Sequence, residues 1–306
     1  MKPRLNFSVA IFLVLVVLPG MTRAGQPAVS STVPVVTSNT VLADLVANVG
    51  GDLVRVHSLE PAGTDPHTFQ PKPDSMRLLA DARLVFFNGA GLEEWWAKTV
   101  RSVGRDAVVV ELSKGLFSLD LAEASSEKQQ TKGVPDPHVW LDPILTKTYI
   151  DRIRDSLSRV DAPHAAAYAE RAAAYGRKLD DLDTWIRAQV DQVPTGRRKL
   201  VTFHDAFQYF ARRYGFSIRG FEVASPGKEP SARSLAELAR RIKAEQIPAV
   251  FSEADFNPKL LQALAKDAGV QVVTNLYDGS LTNGPPAGSY LDLMRHDVTT
   301  IVEALK

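Results

Sequence analysis

The chain has 306 residues, 45% hydrophobic and 23% charged, a balance that excludes a largely disordered chain, a collagen-like chain and a multi-span membrane protein. It contains no Cys, so disulfide frameworks, thiol catalysis, iron–sulfur clusters and thiolate zinc sites are excluded, and any metal must sit on nitrogen and oxygen. The formal charge of +1 offers no basic excess with which to displace counterions, so no nucleic-acid partner is expected.

At the start of the chain, Lys2 and Arg4 precede an apolar run over 7–18, then Pro19-Gly20 and Thr22-Arg23-Ala24. That order of charged, apolar and small residues is the pattern of a secretory signal, with cleavage expected after Ala24. The run is about a dozen residues, short of the roughly 20 that span a bilayer. Removing residues 1–24 takes Lys2, Arg4 and Arg23 and no acidic residue, leaving 282 residues at a formal charge of −2, enough for two ordinary domains. No Cys follows the apolar run, which argues against a lipid-anchored form. The expected product is a soluble periplasmic protein, acting as a monomer.

From Val33 onward short β-branched runs alternate with amphipathic segments, the pattern of an α/β fold with parallel sheets. In the first half, strands are predicted at 34–37, 53–57, 84–88 and 107–111, with helices at 40–47, 73–82 and 91–103. Residues 143–160 read as one helix and 164–193 as a longer one, rich in Ala, Arg, Leu and Asp and free of internal Pro. At 1.5 Å per residue, about thirty residues extend roughly 45 Å, the span of a domain, so this helix reads as a spine. The second half predicts strands at 199–203, 217–221, 249–252 and 270–274, and helices at 205–214, 231–245, 257–268 and 289–305. The expected architecture is two lobes, 33–160 and 197–306, each with a mostly parallel four-stranded sheet flanked by helices, joined by the spine over 164–193. The segment 120–135 has little apolar content and no period and reads as a solvated loop.

Two of the six His stand in the same tripeptide, Asp65-Pro66-His67 and Asp136-Pro137-His138. By chance a His would follow Asp-Pro about once in a few hundred cases. Proline fixes the backbone before each imidazole, and the neighbouring carboxylate is placed to orient it, as metal-bound His usually requires. The bland alternative is two unrelated turns, since Asp-Pro commonly starts one. His204 ends the apolar run 199–203 and precedes a helical pattern, and Asp278 follows the strand at 270–274. Both therefore lie at carboxyl ends of parallel strands, the edge where open α/β sheets bind ligands. Three neutral imidazoles and one carboxylate would make a four-coordinate site for a divalent transition metal. A satisfied turn residue is the alternative for His204.

His57, His164 and His296 read as surface or capping residues. Trp95 and Trp96 read as packed aromatics rather than a sugar platform. Glu222, Glu229 and Glu253 lie near strand ends, where they would cap helices or support the site. No phosphate loop, Gly-x-Gly-x-x-Gly, Gly-x-Ser-x-Gly or HExxH helix is present.

The order Gly63-Thr64-Asp65-Pro66-His67, then Leu84 to Asn88 running into Gly91-Leu92-Glu93, then Asp136-Pro137-His138-Val139-Trp140-Leu141-Asp142-Pro143, then Phe203-His204-Asp205-Ala206-Phe207, and finally Tyr290-Leu291-Asp292-Leu293-Met294, resembles the metal-specific substrate-binding proteins of bacterial ABC importers for zinc, manganese and iron. The resemblance runs from about Val33 to Leu305. It implies two α/β lobes bridged by a rigid helix, a metal buried between them, and delivery to an ABC membrane permease, with loading by a metallochaperone left open. It places the ligands on His67, His138 and His204. Manganese members often carry Glu at the third position and zinc members His, so zinc is the expected cargo, with manganese or iron as alternatives. Two departures stand out. The His-rich loop frequent in zinc members has no counterpart in 120–135, which contains no His. The fourth ligand, usually an Asp directly before Ser-Leu, falls one residue early as Asp278, with Gly279 at the family position.

The competing functions are a secreted zinc hydrolase using the three His and a surface attachment protein on the same fold. A closed first shell favours the binding protein, because catalytic zinc keeps a position open for water and needs a general base nearby.

Overall fold

The computed structural model describes residues 32–99, 102–116, 119, 135–223, 226–227 and 230–306, together with Met1. The signal-like segment, most of the loop expected over 120–135, and Glu229 lie outside the described residues.

Successive side chains of a strand point to opposite faces, and the inner strands β1 and β3 of the first sheet are apolar on both, so layers form on either side. In the first half, β1 (Val33–Thr37), β2 (Val54–Ser58), β3 (Leu84–Phe87) and β4 (Val108–Glu111) make a four-stranded sheet in the order β2-β1-β3-β4. Every pairing is parallel. Val35, Leu84 and Phe86 point into the main core, while Val36 and Val85 point into a smaller cluster with Leu59, Phe69, Leu79 and Trp95. Trp95 is thus a packed aromatic, edge-on to Phe69 with ring centroids 5.9 Å apart.

The second half contains β5 (Lys199–His204), β6 (Ser217–Val223), β7 (Ala249–Glu253) and β8 (Gln271–Leu276), all in the predicted places. The expected four-stranded sheet resolves into two parallel pairs, β5 with β6 and β7 with β8. Each pair has a register shift, between Leu200 and Val201 and between Phe251 and Glu253, and such irregularities bend a strand away from a regular ladder.

Helix ends follow local chemistry. Asn39 caps α1 (Thr40–Gly50) by accepting from the Leu42 amide at 2.9 Å. Asp142 caps α4 (Pro143–Val160), whose first residue is a proline already set to helical φ. The first half also contains α2 (Pro73–Asp81) and α3 (Trp96–Thr99). The helix expected over 91–103 shrinks to α3 among the described residues, because Gly89, Ala90 and Gly91 all take positive φ and the chain leaves β3 in tight turns. Likewise α6 (Gln208–Tyr214) starts three residues after the predicted point.

The long helix α5, expected as a spine, is Ala165–Val190, 26 residues, or roughly 39 Å at 1.5 Å per residue. It is shorter than expected because residues 162–164 form a 3-10 turn and the chain turns again before Pro194. Tyr168, Ala172, Tyr175, Leu179, Leu182, Ile186 and Val190 recur every three or four residues and bury one stripe. That stripe joins a core running from Val33 to Leu305 and shared by both halves. The remaining helices are α7 (Ala232–Ala244), α8 (Lys259–Ala268) and α9 (Tyr290–Leu305). Residues 32–306 form one compact unit. Among the described residues no helix is long and apolar enough to cross a membrane.

Candidate metal centre

His67 lies in the loop between β2 and α2. Asp65 shapes that loop, accepting from the His67 amide at 2.9 Å and from the Thr68 hydroxyl at 2.6 Å. Its carboxylate therefore fixes the backbone and not the imidazole, contrary to the expectation that it would orient the ring. Asp136 does both for His138: its Oδ1 lies 2.9 Å from the His138 amide and 2.8 Å from Nδ1. The preceding turn is pinned by Asn88, whose side-chain amide donates to the Pro137 carbonyl at 3.0 Å.

His204 is the last residue of β5 and fully buried. Its Nδ1 lies 3.4 Å from Glu253 Oε1 at the end of β7, without hydrogen-bond geometry. Asp278 follows β8 and is 2% exposed. The Trp140 indole N–H donates to its carbonyl at 2.6 Å.

The fold brings all four predicted residues together. His138 Nε2 lies 3.1 Å from His67 Nε2 and 3.3 Å from His204 Nε2. Asp278 Oδ2 lies 3.4 Å from His204 Nε2 and 3.9 Å from His138 Nε2. One ligand atom from each His falls within 4.8 Å of the others. For a tetrahedral ion with bonds of roughly 2.0–2.1 Å, adjacent ligand atoms stand about 3.3 Å apart, so the cluster has the dimensions of a single small coordination sphere.

Electrostatics favour lone pairs over protons at two imidazoles. Burial, and then the neighbouring imidazoles, hold His67 and His138 well below the usual histidine value. Burial also lowers His204, but Asp278 and Glu253 outweigh it and lift that group to about 9. Burial raises Asp278 to about 7, with His204 opposing, and raises Asp136 to about 8. His204 and Asp278 thus hold a proton between them near neutral pH.

The other His stand elsewhere. His57 is in β2, His164 pairs with Asp161 at 2.8 Å, and His296 Nε2 lies 2.8 Å from the Asn275 carbonyl. Sequence reasoning missed Glu60, 2% exposed, whose Oε1 has no hydrogen-bond partner. Its position just after β2, at the same edge as the other strand-end residues, was the available signal.

On an α/β scaffold, three imidazoles and a carboxylate gathered within one small coordination sphere make the donor set of a metal-binding protein. Residues 35–304 match the family model of the ZnuA proteins, described as zinc-uptake complex component A, periplasmic. The chain belongs to this family of metal-binding substrate-binding proteins of ABC transporters. It is 32% identical to the zinc-binding protein TroA of Treponema pallidum over 308 residues, covering 97% of each chain. The TroA structure, described as a periplasmic zinc-binding protein, superposes with a TM-score of 0.81 over 90% of this chain and 99% of that one, at 30% identity. The manganese-binding lipoprotein MntA of Halalkalibacterium halodurans is 30% identical, covering 98% of this chain and 97% of that protein. The iron-binding protein YfeA of Yersinia pestis is 29% identical, covering 97% and 94%. These relatives are named for the metals they bind, and the family is described as a component of a metal-uptake complex and not as an enzyme, which sets the hydrolase alternative aside.

Proposed function

We propose that the chain captures a divalent transition-metal ion outside the cytoplasm, zinc in preference to manganese or iron, and hands it as a monomer to an ABC-type membrane permease. The ligands are His67, His138 and His204 through Nε2, and Asp278 through Oδ2. The ion sits between two lobes, 33–160 and 197–306, joined by the spine. The observation that carries this reading is the convergence of three Nε2 atoms, at 3.1 and 3.3 Å around His138, with His138 and His204 buried and His67 half-buried.

Relatives of similar identity are named for zinc, manganese and iron, so the choice of metal rests on the donor set. Three imidazoles and one carboxylate at tetrahedral spacing suit zinc, whereas manganese prefers more oxygen ligands and octahedral geometry. The Irving–Williams order also places zinc above manganese at such a site. The charged, apolar and small-residue order of 1–24 supports export. Without Cys the chain has no thiol for lipid attachment, unlike what the name of MntA says of that protein. Metal arrives directly or from a metallochaperone.

The test is to purify the chain without added metal, identify any bound element by mass spectrometry, and titrate the stripped protein with zinc, manganese and ferrous iron. One equivalent of zinc bound more tightly than manganese is expected. Tighter manganese binding would overturn the metal assignment, and failure to bind any divalent ion would overturn the function.

A further inference from the structure

We propose that Gly279 is a positioning residue that fixes where His67 stands, through contact with the Pro66 ring, and that this contact tunes the site toward a small four-coordinate ion. The inference rests on the metal-binding reading above and adds a determinant of specificity to it.

A Cβ on Gly279 would lie 2.7 Å from Pro66 Cγ and 2.9 Å from Pro66 Cδ, closer than carbon atoms approach without contact. Gly279 is not among the glycines with positive φ. The left-handed backbone that favours glycine is therefore not the reason for it here, and the atoms that a side chain would meet are those of the proline ring.

The loop carrying Gly279 cannot retreat from Pro66. On one side the Trp140 indole holds the Asp278 carbonyl, and the buried Asp297 carboxylate of α9 accepts from the Tyr277 amide at 2.9 Å. On the other side the Gly63 amide donates to Ser280 Oγ at 2.9 Å, and the Leu281 amide donates to Thr40 Oγ1 at 2.8 Å. Strain introduced at position 279 must then move the Pro66 ring, and His67 is the next residue.

His67 resists less than the other two: His204, whose Nδ1 also lacks a partner, is held as the last residue of β5, whereas His67 stands in a loop. The His138 ring is tied to Asp136 at 2.8 Å, but among the described residues no carboxylate or carbonyl accepts a hydrogen bond from the His67 ring. Its position depends on its loop backbone, which Pro66 makes rigid and Gly279 supports. A wider site favours larger, higher-coordinate ions over zinc, whose bonds are short and few.

Three variants test this: Gly279→Ala, Pro66→Ala and the double variant, each folded state checked by circular dichroism. Zinc and manganese affinities are measured by competition, and bound cobalt(II) reports coordination through its visible d–d bands. Gly279→Ala should weaken zinc about 10–100-fold, the range for losing support around a metal ligand. Manganese should weaken less, and the intense bands of four-coordinate cobalt should diminish. Pro66→Ala added to Gly279→Ala should recover most of the loss, because it removes the atoms in collision.

Wild-type zinc affinity and an unchanged cobalt spectrum in Gly279→Ala would overturn the proposal. So would an equal loss for zinc and manganese that Pro66→Ala does not relieve. If Gly279→Ala fails to fold, the double variant decides: a folded, zinc-binding double supports the contact, and an unfolded one overturns it. A wild type that takes up no divalent ion would instead overturn the functional reading, and this proposal with it.

Discussion

Asp136 Oδ1 stands 2.8 Å from the His138 ring nitrogen Nδ1 and 2.9 Å from the His138 amide, so one carboxylate sets both the backbone and the ring of a fully buried imidazole. With Nδ1–H donating to the carboxylate, the Nε2 lone pair faces the other two imidazoles. Asp136→Ala should therefore weaken zinc about 10–100-fold, and Asp136→Asn, which keeps an oxygen that can accept from Nδ1–H, should weaken it less. Competition titration reads both. Unchanged affinity in Asp136→Ala would show that the ring is held by packing alone.

Metal uptake should be steeply pH-dependent in a range set by the His204 and Asp278 pair. A free imidazole would stop competing above its reference value of about 6.5. Here the two carboxylates beside His204 overcome its burial and lift it to about 9, so at neutral pH the incoming ion must displace a proton. Raised binding affinity therefore accompanies rising pH up to about 9, approaching tenfold per unit for one proton released. Calorimetry in buffers of different ionisation enthalpy counts that proton. Zinc binding without proton release at neutral pH would contradict this picture of the pair.

Glu60 lends itself to a stability measurement that needs no metal. Burial, together with Asp65, Asp255, Glu93 and Asp278, pushes its carboxyl from 4.5 up to about 10. Because the folded value is raised, its favourable contribution is fully present below the ordinary carboxyl value and is lost progressively as pH rises toward 10. Glu60→Gln keeps the shape and removes that loss. The melting temperature of the metal-free variant should exceed that of wild type by a margin that grows between about pH 5 and pH 9. A margin constant across that range would mean Glu60 does not take up a proton on folding.

Much of this was legible in the sequence because the signals were local. Short β-branched runs located the eight strands of the described residues, and α4 falls on the predicted 143–160 because Asp142-Pro143 announces its start. The three His stood out because two share a tripeptide and the third ends a strand. Features that depend on distant partners were not legible. Nothing near Trp140 signals that its indole would hold the Asp278 carbonyl, 138 residues away. Nor does the tripeptide Asp65-Pro66-His67 reveal that its carboxylate serves the backbone while its twin at Asp136 serves the ring as well. The helix expected after Gly91 failed on three consecutive positive φ values, a turn whose apolar and aromatic residues mimic helical spacing. Neither the pairing of the second-half strands two by two nor the register shift inside each pair is encoded in the apolar pattern.

Asp278→Ala separates two roles of one carboxylate. Oδ2 lies 3.4 Å from His204 Nε2 and 3.9 Å from His138 Nε2, within reach of a shared ion despite the one-residue offset from the family position. Removing it would take away the proposed fourth ligand, weakening zinc and admitting an exchangeable water in the vacated position. It also removes the charge that, with Glu253, lifts His204, so His204 should lose its proton at lower pH and compete less with the metal. The two effects oppose each other near neutral pH and separate above about pH 9, where His204 is deprotonated in both proteins and only the ligand loss remains. The expected result is a flatter dependence of zinc affinity on pH, with a deficit against wild type that is smallest near about pH 6 and largest near pH 9. A deficit equal at all pH values would assign Asp278 a ligand role without control of the His204 proton, and an unchanged titration throughout would remove it from the site, leaving three imidazoles and water to hold the ion.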